Sequence, residues 1–307
     1  MRRAVAGLAA VVTAALTVAV LAGSREDQAV RLRSAPFASG QRAVSPPSRA
    51  AAFGTGQFPG QRFGPLERPE STNLEPGQVP YDGRFVFARL RYTEAVSLDE
   101  LGQQRFFGRR GGGMGPPWSH DYPRAERNFM KILHDITTID PYTGSAGGAI
   151  VEIGSPDLFN YPVSYMCEPG FWTQTDQEAA NLRAYLLKGG FIIFDDFRGN
   201  DWINFEAQIR RILPDARIVD LALPHPIFHS FFDVATLDFR QYYDRGTPYF
   251  RGVYLDNDPD KRLLMVINYN NDVGEYWEWS DTGWKAIDLT NEAYKLGVNY
   301  IVYGLTH

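Results

Sequence analysis

Residues Thr175 to Asp196, TDQEAANLRAYLLKGGFIIFDD, decide the fold class. Thr175 with Glu178 three residues on has the spacing of a capping box, in which a hydroxyl and a carboxylate satisfy free N–H groups at a helix start. Leu182, Tyr185, Leu186 and the alanines carry the helix forward. Gly189-Gly190 stops it, the first glycine suited to the left-handed position past the last turn. Phe191 to Phe194 is then wholly apolar, the pattern of a strand covered on both faces of a parallel sheet. A strand at Tyr161 to Met166 (YPVSYM) precedes the helix. The whole segment therefore reads as a βαβ unit with a right-handed crossover.

The same alternation extends in both directions. Arg84 to Tyr92 (RFVFARLRY) reads as a strand, and Gly108 to Pro117 as a glycine-rich loop containing Arg109 and Arg110. A helix opens at Pro123 with a stripe of Phe129, Ile132, Leu133 and Ile136. Ala149 to Ile153 is a short buried strand, Trp202 to Leu213 a helix, and Arg217 to Leu221 a further strand. The pattern predicts an α/β fold with a doubly wound, mostly parallel open sheet. The last third changes rhythm. Phe250 to Leu255 and Arg262 to Asn268 read as an antiparallel pair joined across Asp256 to Asp260, and a final helix is expected over Asn291 to Leu305. The sheet thus gains an antiparallel C-terminal addition.

The N-terminus has another character. Met1-Arg2-Arg3 leads into an uncharged apolar run from Ala4 to Ala22, a basic segment followed by a hydrophobic one. That is an export signal. Two readings stand: cleavage before Gly23, with Val20 and Ala22 at the small-residue positions, or an uncleaved anchor over residues 4–22. Either places the remainder outside the cytoplasm, in a periplasmic or other extracytoplasmic space, with membrane contact only through this segment. Residues 23–80 are rich in Pro, Gly, Ser and Arg and carry no period, so they read as a disordered tether ahead of a folded domain spanning 81–307.

Composition narrows the function classes. The 307 residues carry a net charge of −5 and no basic stripe in the folded part, which argues against a nucleic-acid partner. The single cysteine, Cys167, allows no intrachain disulfide, so the core alone must hold the exported domain together.

Ligands in open α/β sheets sit beyond the carboxyl ends of the strands. Two such ends stand out, Cys167-Glu168 after YPVSYM and Asp195-Asp196 after FIIF. Adjacent strand residues point to opposite faces, so Asp195 and Asp196 are expected to diverge unless the strand has ended. One could bind a metal or act as a base, and the other could hold a turn. His225 and His229 bracket Pro226-Ile227-Phe228; the proline and the lack of a glutamate after His225 exclude a zinc-protease helix. His225 facing Asp195-Asp196 would complete a histidine–carboxylate site. Asp195, Asp196 and His225 are thus the catalytic candidates, and His229, Asn268, Asn270, Asp272, Asp121 and Glu126 the ligand-binding ones. Cys167 with His120 or His225 as base is a weaker alternative, since no motif positions the base. Asp256 to Asp260 fails as a calcium loop, with Lys261 where glycine is needed and Ile267 where a bidentate carboxylate is needed.

WSHDYPRAERNF (Trp118 to Phe129), SPDLFNYPVSYM (Ser155 to Met166), LRAYLLKGGFIIFDDFRG (Leu182 to Gly199), HPIFH (His225 to His229), INYNNDVGEYWEW (Ile267 to Trp279) and LGVNYIVYGLTH (Leu296 to His307) resemble an uncharacterised bacterial family catalogued as domain of unknown function 4159. The resemblance covers Phe85 to His307. That family is similar to the class I glutamine amidotransferase-like superfold, which includes the trehalose-utilisation (ThuA-like) domains, whose His-Pro-Ile stretch is matched by His225 to Ile227. The resemblance implies a flavodoxin-like sheet. It also implies no glutaminase activity, because Asp195-Asp196 occupy the place of the amidotransferase cysteine. Family members often accompany von Willebrand-type domains and AAA-type ATPases, which implies binding or assembly at the envelope. The expected function is therefore a non-catalytic domain that binds an envelope protein or a small ligand such as a carbohydrate, with no cofactor unless a divalent metal binds. The alternative is a hydrolase, metal-dependent or carboxylate-based, acting on an envelope carbohydrate or similar substrate.

Overall fold

The computed structural model describes Val79 and residues 81–98, 104–106, 115–239 and 246–307. The expected export signal, all of the expected tether over 23–80 except Val79, and most of the glycine-rich loop lie outside the described residues. In chain order the elements are β1 (Ala88–Arg91), β2 (Thr93–Glu94), β3 (Val96–Leu98), β4 (Gln104–Phe106), α1 (Arg124–Ile136), β5 (Ala149–Glu152), β6 (Val163–Cys167), β7 (Trp172–Thr173), α2 (Asp176–Leu187), β8 (Phe191–Phe197), α3 (Asp201–Ile212), β9 (Val219–Asp220), β10 (Tyr249–Tyr254), β11 (Leu263–Tyr269), α4 (Val273–Glu278) and α5 (Ile287–Thr306).

Seven strands form one sheet in the order β5-β1-β6-β8-β11-β10-β9. The first five run parallel, and β10 pairs antiparallel with β11 on one side and with β9 on the other. The parallel strands follow the flavodoxin-like order, in which the chain leaves the first strand on one side and returns on the other. Helices α2 and α3 cover one face with Leu182, Tyr185, Leu186, Phe205 and Ile209. Helices α1, α4 and α5 cover the other, where Phe129 stacks on Trp277 with ring centroids 4.4 Å apart. Such a pair contributes roughly 0.5–1.5 kcal/mol beyond its buried area. The sheet is doubly wound and mostly parallel. Among the described residues, no helix is long and apolar enough to cross a membrane.

The Thr175 capping box forms as its spacing predicts, with Glu178 N–H donating to Thr175 Oγ1 and Thr175 N–H donating to Glu178 Oε2. Gly189, at φ 121°, closes α2. Val79 is already buried in the core, just ahead of Tyr81. Three local expectations differ from the structure. The FIIF strand does not end at Phe194 but continues through Asp195-Asp196 to Phe197. Strands β10 and β11 do pair antiparallel as expected, but β11 also pairs parallel with β8 and so belongs to the main sheet. Strand β9 is two exposed residues on the sheet edge, separated from the parallel set by β10, rather than a longer strand within that set, because Val219-Asp220 offers no apolar run to bury.

Candidate metal centre

The chain order places β1 and β6 on either side of the topological switch, where a crevice opens beyond the carboxyl ends. Tyr92 Oη, just past β1, donates to the carbonyls of Cys167 (2.9 Å) and Glu168 (2.7 Å) and so holds the end of β6. Glu168 leaves the strand in the left-handed region, at φ 45°.

The neighbouring strand carries the decisive irregularity. Ile267 of β11 pairs with Phe194, but Tyr269 pairs with Phe197, so β8 has one residue more than its partner. This is a bulge, and Asp196 occupies it at φ 57°. The expected divergence of the two aspartates is thereby overturned. Asp195 Oδ2 accepts from Tyr165 Oη, Val273 N and Gly274 N, each at 2.9 Å. Asp196 Oδ2 lies 2.7 Å from His120 Nδ1 and 3.9 Å from Cys167 Sγ. Tyr165, Cys167 and Val273 all belong to the core on the α1, α4 and α5 face. The left-handed residue turns the second carboxylate to the side of the first, while Phe197 keeps its packing against Phe205 and Trp202 on the opposite face.

His120 and Asp121 come from the turn between a short 3-10 segment, Pro117–Ser119, and α1. Arg89, on β1, pins that turn. Its Nη1 donates to the carbonyls of Trp118 (3.0 Å) and His120 (2.8 Å), and its Nε pairs with Glu126. Both side chains of this ion pair are buried, and Arg89 also lies over the ring of Tyr165, 4.9 Å from its centroid. Glu126 is thus a structural partner of Arg89 and not a free ligand. Asp121 sits at φ 66°, so Asp121, Glu168 and Asp196 are three left-handed acids around one imidazole. Each such residue costs roughly 1–2 kcal/mol, and strain held in this way gathers at functional sites.

From His120 Nδ1, Asp196 is 2.7 Å away, Asp121 Oδ1 3.5 Å and Glu168 Oε1 3.9 Å. One donor atom each from His120, Glu168 and Asp196 fits within 4.8 Å, and the same holds for His120, Asp121 and Cys167. The His120 ring is about one-third exposed, at 31%, so this edge of the cluster meets solvent. Burial pushes the carboxyls of Asp121, Asp195 and Glu278 upward, and Asp121 in turn pushes the His120 imidazole upward. Burial likewise pushes the Cys167 thiol up, and Cys167 has no exposed surface, so it lacks the access and thiolate character of a nucleophile. Buried carboxylates without matching positive charge need a cation or a proton. One imidazole nitrogen with several carboxylate oxygens suits a divalent ion of the magnesium, manganese or zinc kind.

A family model described as a domain of unknown function (DUF4159) matches residues 87–305. The chain belongs to this family. No curated protein matches it. The match covers the whole DUF4159 sheet and every residue of the cluster around His120.

Within the DUF4159 domain the residues singled out in the sequence scatter. Asp121, Asp195 and Asp196 come together at the switch point. His225 does not reach them. Its ring packs on Tyr254 (5.9 Å), whose strand partner Leu263 begins β11, so it lies toward the amino ends of the parallel strands. There Nδ1 accepts from Ile227 N at 3.1 Å. The local 3-10 turn at Pro226–Phe228 sets this bond and explains why the expected histidine–carboxylate pairing is not made. His229 is held by Asp233 (3.2 Å) and the carbonyl of Leu223 (2.7 Å). Asn268 accepts from Tyr300 Oη, Asn270 bridges Gly199 N and the carbonyl of Thr247, and Asp272 caps α4 through Glu275 N. These bonds tie each of them to neighbouring backbone or side chains, away from His120 Nδ1. His120 emerged in the sequence only as a base for Cys167. Glu275 and Glu278 carried no signal, because only the bend into α4 brings them toward Asp121.

Two expected results arise here. Burial holds the His225 pKa below its usual value, and its Nδ1 acts as an acceptor only when neutral. The neutral form is therefore favoured by folding: its contribution is complete above the unfolded value near pH 6.5 and is lost as pH falls through the lowered folded value. Urea unfolding between pH 8 and 5 should show a decline in stability that His225→Asn flattens; an unchanged slope would contradict this. The second concerns Gly274. A Cβ there would stand 2.7 Å from Tyr165 Oη and 2.8 Å from Asp121 Oδ2. Gly274→Ala should cost about 1–3 kcal/mol, seen as a lower Tm; a variant as stable as the parent would show that the cluster is loosely packed.

Proposed function

We propose that this domain binds its ligand through a divalent cation held by His120, Glu168 and Asp196. The single observation behind this reading is the bulge at Asp196, which turns a second carboxylate onto the imidazole of His120 at the switch-point crevice. The partly exposed ring edge leaves room for an oxygen-bearing ligand to complete the coordination. With the basic and apolar N-terminal segment, the reading becomes an exported domain that binds a ligand or partner at the cell envelope. The oxygen-rich ligand set favours a polar ligand such as a carbohydrate or an anionic group.

A second reading, a metal-dependent hydrolase, draws on the same exposed edge. Three protein ligands with a solvent-facing position are the arrangement in which a metal supplies an activated water. His120, paired with Asp196, would be a metal ligand in that reading and not the base.

The test is cation-linked stability. Full-length protein stripped with a chelator is heated with and without Mn2+, Zn2+, Mg2+ or Ca2+. A cation bound only by the folded state stabilises it by about 2.7 kcal/mol when present at 100 times its Kd. A rise in Tm with at least one of these ions supports the reading, and identical melting with all four contradicts it.

A further inference from the structure

Asp121 is more than the third carboxylate of the His120 cluster. Its side chain has no exposed surface, and among the described residues neither carboxylate oxygen accepts a hydrogen bond. One of its oxygens also lies within 4.8 Å of donor atoms from Glu275 and Glu278, on α4. Two carboxylates on one turn of helix therefore meet a third that has been sealed from water and given no N–H donor. The backbone adds to this arrangement. Gly274 has no Cβ, and its place beside Asp121 Oδ2 and Tyr165 Oη keeps side-chain carbon out of the space. Asp121 itself is held there in the left-handed conformation by a turn that Arg89 anchors.

Besides His120, whose Nδ1 stands 3.5 Å from Asp121 Oδ1 and 2.7 Å from Asp196, the positive charge near the group is directed elsewhere. Lys285 Nζ pairs with Glu275 Oε1 at 2.7 Å and leaves that carboxylate its second oxygen. Arg124 pairs with Asp281 at 2.8 Å and lies over Trp279. Asn128, which also approaches α4, donates to the carbonyls of Trp277 and Glu278 and fixes the end of that helix. None of these contacts supplies a donor to Asp121.

We propose that Asp121, Glu275 and Glu278 hold a second divalent cation, and that Asp121 bridges it to the cation of the His120 site. The bridging part rests on the function proposed above; the second site rests on Asp121 and α4 alone. All three ligands of this site are carboxylates, so it takes a hard ion such as Mn2+ or Mg2+. Two cations joined by one carboxylate stand about 3.5–4 Å apart and clamp the oxygens of a ligand from two sides. The ligand class this selects is an oxyanion or a vicinal pair of hydroxyls, each able to offer two oxygens at once.

The experiment uses the full chain, stripped of metal and dialysed against Mn2+, with bound manganese counted by elemental analysis and coupling read by electron paramagnetic resonance. The expected result is two Mn2+ per chain with an exchange-broadened spectrum. Glu278→Gln should leave one Mn2+ with an uncoupled six-line spectrum, and Asp196→Asn should also leave one. A single ion that Asp196→Asn removes and Glu278→Gln retains overturns the second site while the His120 reading stands. A single ion with the opposite dependence upholds the second site and sinks the His120 reading. No bound Mn2+ overturns both and leaves Asp121 and Glu278 sharing a proton. The count in the unmodified chain decides between one and two ions even if a variant folds poorly.

Discussion

Arg89→Met should destabilise the domain by about 3–5 kcal/mol, because it strands the Glu126 carboxylate in the core. For a domain of this size that is a fall in Tm on the order of 10 °C. Arg89 makes its ion pair with Glu126 and two bonds to the carbonyls of Trp118 and His120 from a position with almost no exposed surface. Among the described residues Glu126 Oε2 has no hydrogen-bond partner, so Arg89 is the carboxylate's main compensation. Removing both charges separates the two roles of the pair. Arg89→Met with Glu126→Leu should recover much of the lost stability, since an apolar replacement of a buried ion pair is often neutral. It should not recover cation affinity, because the His120 carbonyl has lost its anchor. Urea unfolding of the single and double variants measures the first effect and Mn2+ titration the second. A single variant within about 1 kcal/mol of the parent would show that the pair is dispensable.

Asp196→Asn should weaken cation binding by at least about 100-fold. Residues that merely orient a metal ligand cost 10–100-fold when changed, and Asp196 is read here as a direct ligand. His120→Ala should do the same. Asp195→Asn should weaken binding less, because Oδ2 of Asp195 is held by Tyr165 Oη and two backbone N–H groups of α4. Its cost should appear chiefly as lower stability. Titration calorimetry with Mn2+ ranks the three. Equal losses at Asp195 and Asp196 would mean that bulk negative charge, and not placed ligands, attracts the ion.

Much of the fold was legible because its signals are local. Thr175, Glu178 and the glycine pair lie within one helix, and FIIF is apolar whatever its neighbours. The place of β11 beside β8 was not legible, since its apolar run fits any buried strand and the choice of partner is set by the tertiary fold. The site was legible in part. The rule that ligands gather at carboxyl ends led to Asp195, Asp196 and Glu168. Alternation then separated the aspartates, and only the bulge, a product of pairing with β11, reunites them. His120 acts on Asp196, 76 residues away, from a turn whose shape is held by Arg89 on another strand. No short-range pattern encodes that meeting. His225 and His229 misled for the opposite reason. Their spacing looks like a shared site, yet the 3-10 turn between them directs each imidazole to nearby backbone.

The most direct test is crystallographic. Crystals grown from Mn2+-loaded protein, with anomalous scattering recorded at a wavelength where manganese absorbs, locate the ion without assumption. A peak within coordination distance of His120, Glu168 and Asp196 is the predicted result. Crystals of manganese-bound protein whose peaks fall only on exposed carboxylates, with none beside His120, would contradict it.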